Sequence, residues 1–292
     1  MQHVVKHPRK PFLSATGALE VHQIPAWQDN LIWLGVNPKT REAFAVDGPD
    51  AAGVLDYCEA QGLKLTTIVN THTHGDHIGI NRDLAERNKL GQLRVVGGAS
   101  TASAIPGLTD PVSDGDELTV IGVRATAMLT EGHINGHISY LFDNVLFCGD
   151  TLFGAGCGYL FDGPASKMHA SLARLRDLPD DTRVCCAHEY TEDNLRFAWS
   201  VDARNTELAQ RIREVFALRA RGECSLPSTI GIERATNPFM RFDAAGIKAS
   251  VAAAMPDADL SSDASVFAAT RALKDRKDYR QQGDDALPLE TR

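Results

Sequence analysis

The chain has 292 residues, of which 43% are hydrophobic and 23% charged, enough for one large domain or a medium domain carrying a smaller one. Its formal net charge of −8 argues against a nucleic-acid partner, because phosphate binding wants a basic surface. There is no apolar run of about 18 residues to span a membrane, and the opening MQHVVKHPRKPF leads into no apolar run, so no secretory leader is expected.

Residues 1–16 read as a loose arm. Leu19–Ile24, Asn30–Val36 and Ala43–Val46 follow as short antiparallel strands, separated by turn residues such as Asn37-Pro38 and Gly48-Pro49-Asp50. Asp50–Gly62 reads as a helix, Leu65–Val69 as a buried strand, Ile78–Lys89 as a helix and Leu93–Val96 as a strand. Thr119–Val123, Ala125–Leu129, Ile138–Phe142 and Val145–Cys148 form a second group of strands, rich in β-branched or aromatic residues. Ser166–Leu178 is a helix that stops at Pro179, and Arg183–Cys186 is a strand. Beyond about Glu192 the pattern turns helical: Asn194–Val201, Thr206–Ala220, Phe242–Ala254 and Ser265–Tyr279, with GDDALPLETR as a frayed tail. This order predicts two sheets with helices outside, joined to a smaller helical part beginning near residue 196. The six cysteines (Cys58, Cys148, Cys157, Cys185, Cys186 and Cys224) form no C-x-x-C pair. They suit reduced, buried thiols and a cytoplasmic location.

The chemistry concentrates in His72-Thr73-His74-Gly75-Asp76-His77, directly after the Leu65–Val69 strand. In an extended segment, alternate residues face one side, which groups His72, His74 and Asp76. His77 joins them only if the chain turns, as Gly75 and the following helix allow. The segment can thus address two metals, His72 and His74 one, Asp76 and His77 the other. Imidazole and carboxylate suit zinc first, with iron or manganese also accommodated. The remaining ligands are sought at other strand ends: His133 after Ala125–Leu129, Asp150 after Val145–Cys148, and His188 after Arg183–Cys186. A carboxylate such as Asp150 can bridge two cations about 3.5–4 Å apart. His137 reads as a supporting histidine behind the ligands. His3, His7, His22 and His169 have no ligating company. GAGCG at 154–158 lacks nucleotide-loop spacing and reads as a flexible loop near the metals.

THTHGDH resembles the H-x-H-x-D-H signature of the metallo-β-lactamase fold, which hosts several unrelated activities. GDTLFGAGCG (149–158), AHEYTEDNLRFA (187–198), NPFMR (237–241) and the run L-K-D-R-K-D (273–278) resemble segments of glyoxalase II, the hydroxyacylglutathione hydrolases. That resemblance covers nearly the whole chain. It implies an α/β fold, an αββα sandwich over residues 1–195 with a C-terminal helical domain over 196–292 that binds substrate. It implies two divalent metal ions: His72, His74, His133 and Asp150 around the first, and Asp76, His77, His188 and Asp150 around the second, bridged by a hydroxide. S-lactoylglutathione would be hydrolysed to lactate and glutathione, with Asp76 and Asp150 nearest the chemistry. Tyr190, Lys274 and Lys277 would hold the glutathione part, the lysines lying three residues apart on one helix face.

Three positions depart from the family's pattern. Thr73 stands where a third histidine is usual, but it alternates away from the metals, so ligation is expected to survive. Tyr159 replaces the usual cation after GCG, removing one contact to a glutathione carboxylate, and is followed by the aromatic Phe161. Ile80 replaces a glycine. The alternatives within the fold are a persulfide dioxygenase-like oxidoreductase with one iron, a hydrolase of another thioester, and a nuclease, which the net charge disfavours. The partner expected is a small glutathione thioester, with no membrane and no nucleic acid, for a monomer or small homo-oligomer.

Overall fold

The computed structural model describes residues 2–289. β1 (Phe12–Leu13), β2 (Glu20–Ala26), β3 (Asn30–Val36) and β4 (Glu42–Val46) run antiparallel. α1 (Ala52–Gln61) then crosses over to β5 (Lys64–Val69), and α2 (Gly75–Glu86) to β6 (Arg94–Gly98), followed by β7 (Asp110–Val112). These crossovers make the β4–β7 half parallel and complete a seven-stranded sheet in sequential order.

The second sheet is built from β8 (Glu117–Val120), β9 (Val123–Leu129), β10 (Ile138–Phe142) and β11 (Val145–Gly149), which form a meander. A small hairpin, β12 (Leu152–Phe153) and β13 (Gly156–Cys157), precedes α3 (Ala165–Arg176) and β14 (Arg183–Cys186), which joins β11 in parallel. α4 (Thr191–Asp202) and α5 (Thr206–Ala220) follow. β15 (Ser228–Thr229) then closes the sheet against β14, ahead of α6 (Ile230–Thr236), α7 (Ala245–Ala254) and α8 (Asp263–Arg276). Among the described residues no helix is long and apolar enough to cross a membrane.

Alternation along the strands produces the layers. Leu31, Trp33, Phe44, Val46 and Val69 face the second sheet, whereas Ile32, Leu34, Ala43, Ala45 and Ile68 face α1 and α2. Phe44 stacks on Phe142 with ring centroids 4.8 Å apart and meets Phe147 edge-on at 5.8 Å, stitching the sheets together. Burying one such phenylalanine contributes roughly 1.5–3 kcal/mol. α3 covers the far side of the second sheet through Met168, Leu172 and Leu175, and packs against α8. The result is the expected αββα sandwich with a helical C-terminal region.

Several expectations are corrected. The N-terminal arm is docked: Val5 is buried, Val4 N–H donates to Gln28 O at 2.8 Å, and Lys6 N–H to Gly222 O at 2.8 Å. The tail is docked as far as Leu289. Leu287 and Leu289 pack on the α4–α5 cluster, and Trp199 Nε1 donates to Ala286 O at 2.8 Å; residues 290–292 lie outside the described residues. GAGCG is a buried β-hairpin turn, fastened by Asn194 Nδ2 to Gly154 O at 2.9 Å and Asn237 Nδ2 to Gly156 O at 2.9 Å. Composition suggested flexibility there, but the tertiary partners supply the order. α6, with seven residues, is under two full turns and the two-residue strands span a single alternation, so neither repeats its period often enough to be read.

Candidate metal centre

β4 and β5 are parallel neighbours, so their C-terminal ends open on the same edge of the sheet. Beyond β5 the chain bends at Thr71 and forms no helical turn before His74, whose φ of −64° and ψ of 152° make it the N-cap of α2. His77 and Ile78 N–H groups both return to His74 O at 3.0 Å. The helix therefore begins at Gly75, three residues earlier than periodicity suggested. Asp76 and His77 lie in its first turn, where a carboxylate is favoured by the helix dipole. Alternation thus fails for Asp76: it leaves His72 and His74 and goes with His77. Gly79 permits this start, since a Cβ there would lie 2.1 Å from Pro49 O.

Three other segments arrive from the second sheet. His133 comes from the turn after β9, Asp150 follows β11, and His188 follows β14, β11's parallel partner. Among the described residues, three groups of candidate atoms lie within 4.8 Å of one another: His72, His74, His133 and Asp150; Asp76, His77 and His188; and Asp47, His72 and His77, the last joined through the outer nitrogen of His77. His74 Nδ1 lies 3.1 Å from His72 Nε2 and 3.0 Å from His133 Nε2. Asp150 divides between the first two groups, with Oδ2 3.4 Å from His133 Nε2 and Oδ1 3.5 Å from both His77 Nε2 and His188 Nε2. Asp76 Oδ2 lies 3.5 Å from His77 Nε2 and 3.3 Å from His188 Nε2.

The outer ring nitrogens explain which lone pairs point inward. His77 Nδ1 donates to Asp47 Oδ2 at 3.0 Å, His188 Nδ1 to Asp29 Oδ1 at 2.8 Å, and His133 Nδ1 to Tyr159 O at 2.7 Å. Thr71 Oγ1 gives its own proton to Asp47 Oδ2 at 2.6 Å and so accepts from His72 Nδ1 at 3.0 Å. A ring that donates from Nδ1 carries its lone pair on Nε2. Several lone pairs therefore converge on a small space, where they repel unless a cation lies among them. Two buried atoms, His77 Nε2 and Asp150 Oδ1, have no hydrogen-bond partner, and they face each other. A buried polar atom left unpaired costs roughly 1–3 kcal/mol, so this donor set fits a divalent cation. The chain is a metal-binding protein at this edge.

Burial drives His72 well below its ordinary pKa, reinforced by His77 and His137, which keeps it a neutral donor. Burial alone would raise the Asp150 carboxyl, but His188 and His77 hold it well below the usual range. Burial also opposes charge on His188, yet Asp150, Asp29 and Asp76 lift it to about 9, so with no cation between these groups Nε2 holds a proton, which a metal ion would displace to free the lone pair. His137 is buried, with Nε2 accepting from Asp150 N–H at 3.2 Å, so it buttresses Asp150.

Sequence reasoning missed Asp29, Asn30, Asp47 and Thr71. Their only signal was position: Asp47 and Thr71 follow parallel strands, Asp29 ends the β2–β3 turn and Asn30 opens β3.

A cleft of about 390 Å³ adjoins the cluster, lined among others by Phe153, Tyr159, Tyr190, Arg271, Lys274 and Lys277. Tyr190 stacks on His188 at 4.8 Å with a 6° tilt, which carries the cleft wall onto the donors. Phe161, exposed, meets the His74 and His133 rings at 5.2 and 5.3 Å. The shared helix face expected for Lys274 and Lys277 does not exist. α8 ends at Arg276, and Lys277 is its left-handed C-cap with φ 61°, out in solvent. Lys274 is buried, hydrogen-bonded to Asn194 Oδ1 and near the Phe197 and Phe239 rings. Its neighbour one turn earlier is Arg271, also buried, which sequence reasoning passed over.

Comparisons with known proteins agree with this architecture. Residues 48–188 match the metallo-beta-lactamase superfamily and residues 189–277 the hydroxyacylglutathione hydrolase C-terminus. A hydroxyacylglutathione hydrolase of Synechocystis sp. is 43% identical over 264 residues, covering 88% of this chain and 99% of the relative. One from Pseudomonas fluorescens is 42% identical over 259 residues, with the same coverage of both chains. Among solved structures, the BLEG-1 B3 metallo-beta-lactamase superposes with a TM-score of 0.57 at 22% identity, over 75% of this chain and 99% of that one, a likeness of fold. With its donor cluster on the edge of an αββα sandwich and a matching helical C-terminus, the chain belongs to the hydroxyacylglutathione hydrolases, hydrolases of metallo-β-lactamase type.

Proposed function

We propose that this chain hydrolyses glutathione thioesters, with S-lactoylglutathione giving lactate and glutathione, at a centre holding two divalent cations, zinc in first place. The observation that carries the reading is the continuity between the donor cluster and a cleft with buried cations, joined through Tyr190 on His188 and Tyr159 O on His133. His72, His74, His133 and Asp150 would hold one ion, and Asp76, His77, His188 and Asp150 the other. When bound, such ions activate water at neutral pH and stabilise developing negative charge on a carbonyl oxygen.

The chain's own residues do the rest. Asp150 and Asp76 aim their oxygens into the gap and orient the attacking water. Asp29, Asp47, Thr71 and the Tyr159 carbonyl keep the imidazoles in the tautomers that present Nε2. The helices beyond residue 195 supply the substrate side: Arg271 and Lys274 floor the cleft and Lys277 stands at its edge, where a tripeptide's carboxylates would sit. Phe161 and Tyr159 form an apolar flank beside His74 and His133. The thiolate is a good leaving group, so no strong general acid is needed. The two-cation set with His188 and Asp76 distinguishes this reading from a one-iron oxidoreductase.

The test is purified protein stripped of metal, reloaded with zinc, and assayed against S-lactoylglutathione alongside lactoyl esters of other thiols. Hydrolysis of the glutathione ester with about two zinc ions per chain is expected. Metal-loaded protein that leaves it intact sinks the proposal, and turnover of other thioesters alone sinks the glutathione assignment.

A further inference from the structure

We infer that the Asp29–Asn30 pair, where the β2–β3 turn enters β3, is a positioning device for one half of the metal centre, governing occupancy of the Asp76, His77 and His188 group independently of the other. The inference rests on the two-cation reading above. Adjacent side chains at the start of β3 grip two of that group's three donors: Asp29 Oδ1 accepts from His188 Nδ1 at 2.8 Å, and Asn30 Nδ2 donates to Asp76 Oδ2 at 3.0 Å. The backbone brackets His188 on both sides, Leu31 N–H donating to Ala187 O at 2.7 Å and Glu189 N–H to Asp29 O at 3.0 Å. The β2–β3 hairpin therefore sets where His188 sits as well as how its ring is turned.

The turn is itself anchored. His3 Nε2 donates to Asn30 O at 2.9 Å, Val4 N–H donates to Gln28 O at 2.8 Å, and Arg219 Nη2 donates to Val4 O at 2.6 Å. The docked N-terminal arm thus clamps the turn against α5. The supports of the other donor group do not involve Asp29: His72 is held through Thr71, which shares Asp47 with His77, and His133 through Tyr159 O. Removing the Asp29 carboxylate is therefore a local loss. It frees one ring and its tautomer and leaves the second set of supports standing. Partners of ligating imidazoles typically govern metal affinity about 10- to 100-fold.

The experiment compares the parent protein with D29A, D29N and T71V, each stripped and then titrated with zinc, reading metal content after dialysis. Melting of the stripped proteins serves as a folding control. The parent is expected to hold two ions. D29A should keep one tightly and bind the second about 10- to 100-fold more weakly, with D29N between because it retains an acceptor. T71V should weaken mainly the opposite ion, with a smaller effect on the second through Asp47, which Thr71 shares with His77. If D29A does not fold, D29N, nearly identical in shape, is read in its place. Two equally tight ions in the folded Asp29 variant, or parallel loss of both, overturns the inference. A parent that binds a single ion overturns the two-cation reading, and the inference with it.

Discussion

Replacing Lys274 by methionine should make the protein more stable and a poorer binder of substrate at the same time. Lys274 is buried between α8 and α4 and paired with the neutral Asn194 side chain. Burial, helped by the nearby Arg271 charge, pushes its pKa down from 10.5 to about 7. The unfolded chain therefore binds more protons than the folded one between about pH 7 and 10.5, and the parent gains stability as pH climbs through that window. Below pH 7 the full cost is present, on the order of 4–5 kcal/mol. Methionine fills similar volume without charge and removes this cost. It leaves Asn194 Oδ1 unpaired, which returns roughly 1–3 kcal/mol. The net gain at pH 7 is about 1–4 kcal/mol, a rise of several degrees in Tm. In the assay, KM of the parent for S-lactoylglutathione should climb as pH passes above 7 and Lys274 loses its proton. KM of K274M should be about tenfold higher at pH 6.5 and flat across that range, with kcat little changed. A variant that melts no higher than the parent at pH 7 and keeps its KM profile would refute the reasoning.

Tyr159 is exposed at the cleft mouth where the family usually carries a cation, so Y159K should lower KM for glutathione thioesters about two- to fivefold, the scale of an exposed ion pair; an unchanged KM in steady-state kinetics contradicts this. G79A should destabilise by roughly 2–3 kcal/mol, because its Cβ meets the Pro49 carbonyl and displaces the first turn of α2; denaturant melts combined with metal content check it, and an unperturbed variant argues against the tight α2 start. Chelation should abolish activity and lower Tm, since an ion present at 100 times its Kd adds about 2.7 kcal/mol. Calorimetry with and without chelator decides, identical melting being the contrary result.

Residue chemistry, joined to the family resemblance, picked out candidate donors that the fold brings together. Seven donors, His72, His74, Asp76, His77, His133, Asp150 and His188, stand at strand ends that alternation and turn residues mark locally, and polar rings directly after apolar strands have no place in a core. The two-layer sheet architecture was legible for the same reason: a period of two or 3.6 is written into consecutive residues. What the sequence could not specify was every relation between distant segments carried by a single hydrogen bond. Asp29 and Asp47 look like ordinary turn residues until the β2–β3 hairpin and the β4 end are brought against His188 and His77. Lys277 looks like a partner for Lys274 until α8 stops one residue before it, and GAGCG looks loose until Asn194 and Asn237 fasten it. The donors were determined by local residue type. The tautomers of His77, His133 and His188 and the floor of the cleft were decided by tertiary packing, because each depends on atoms tens to hundreds of residues apart and leaves no period in the chain.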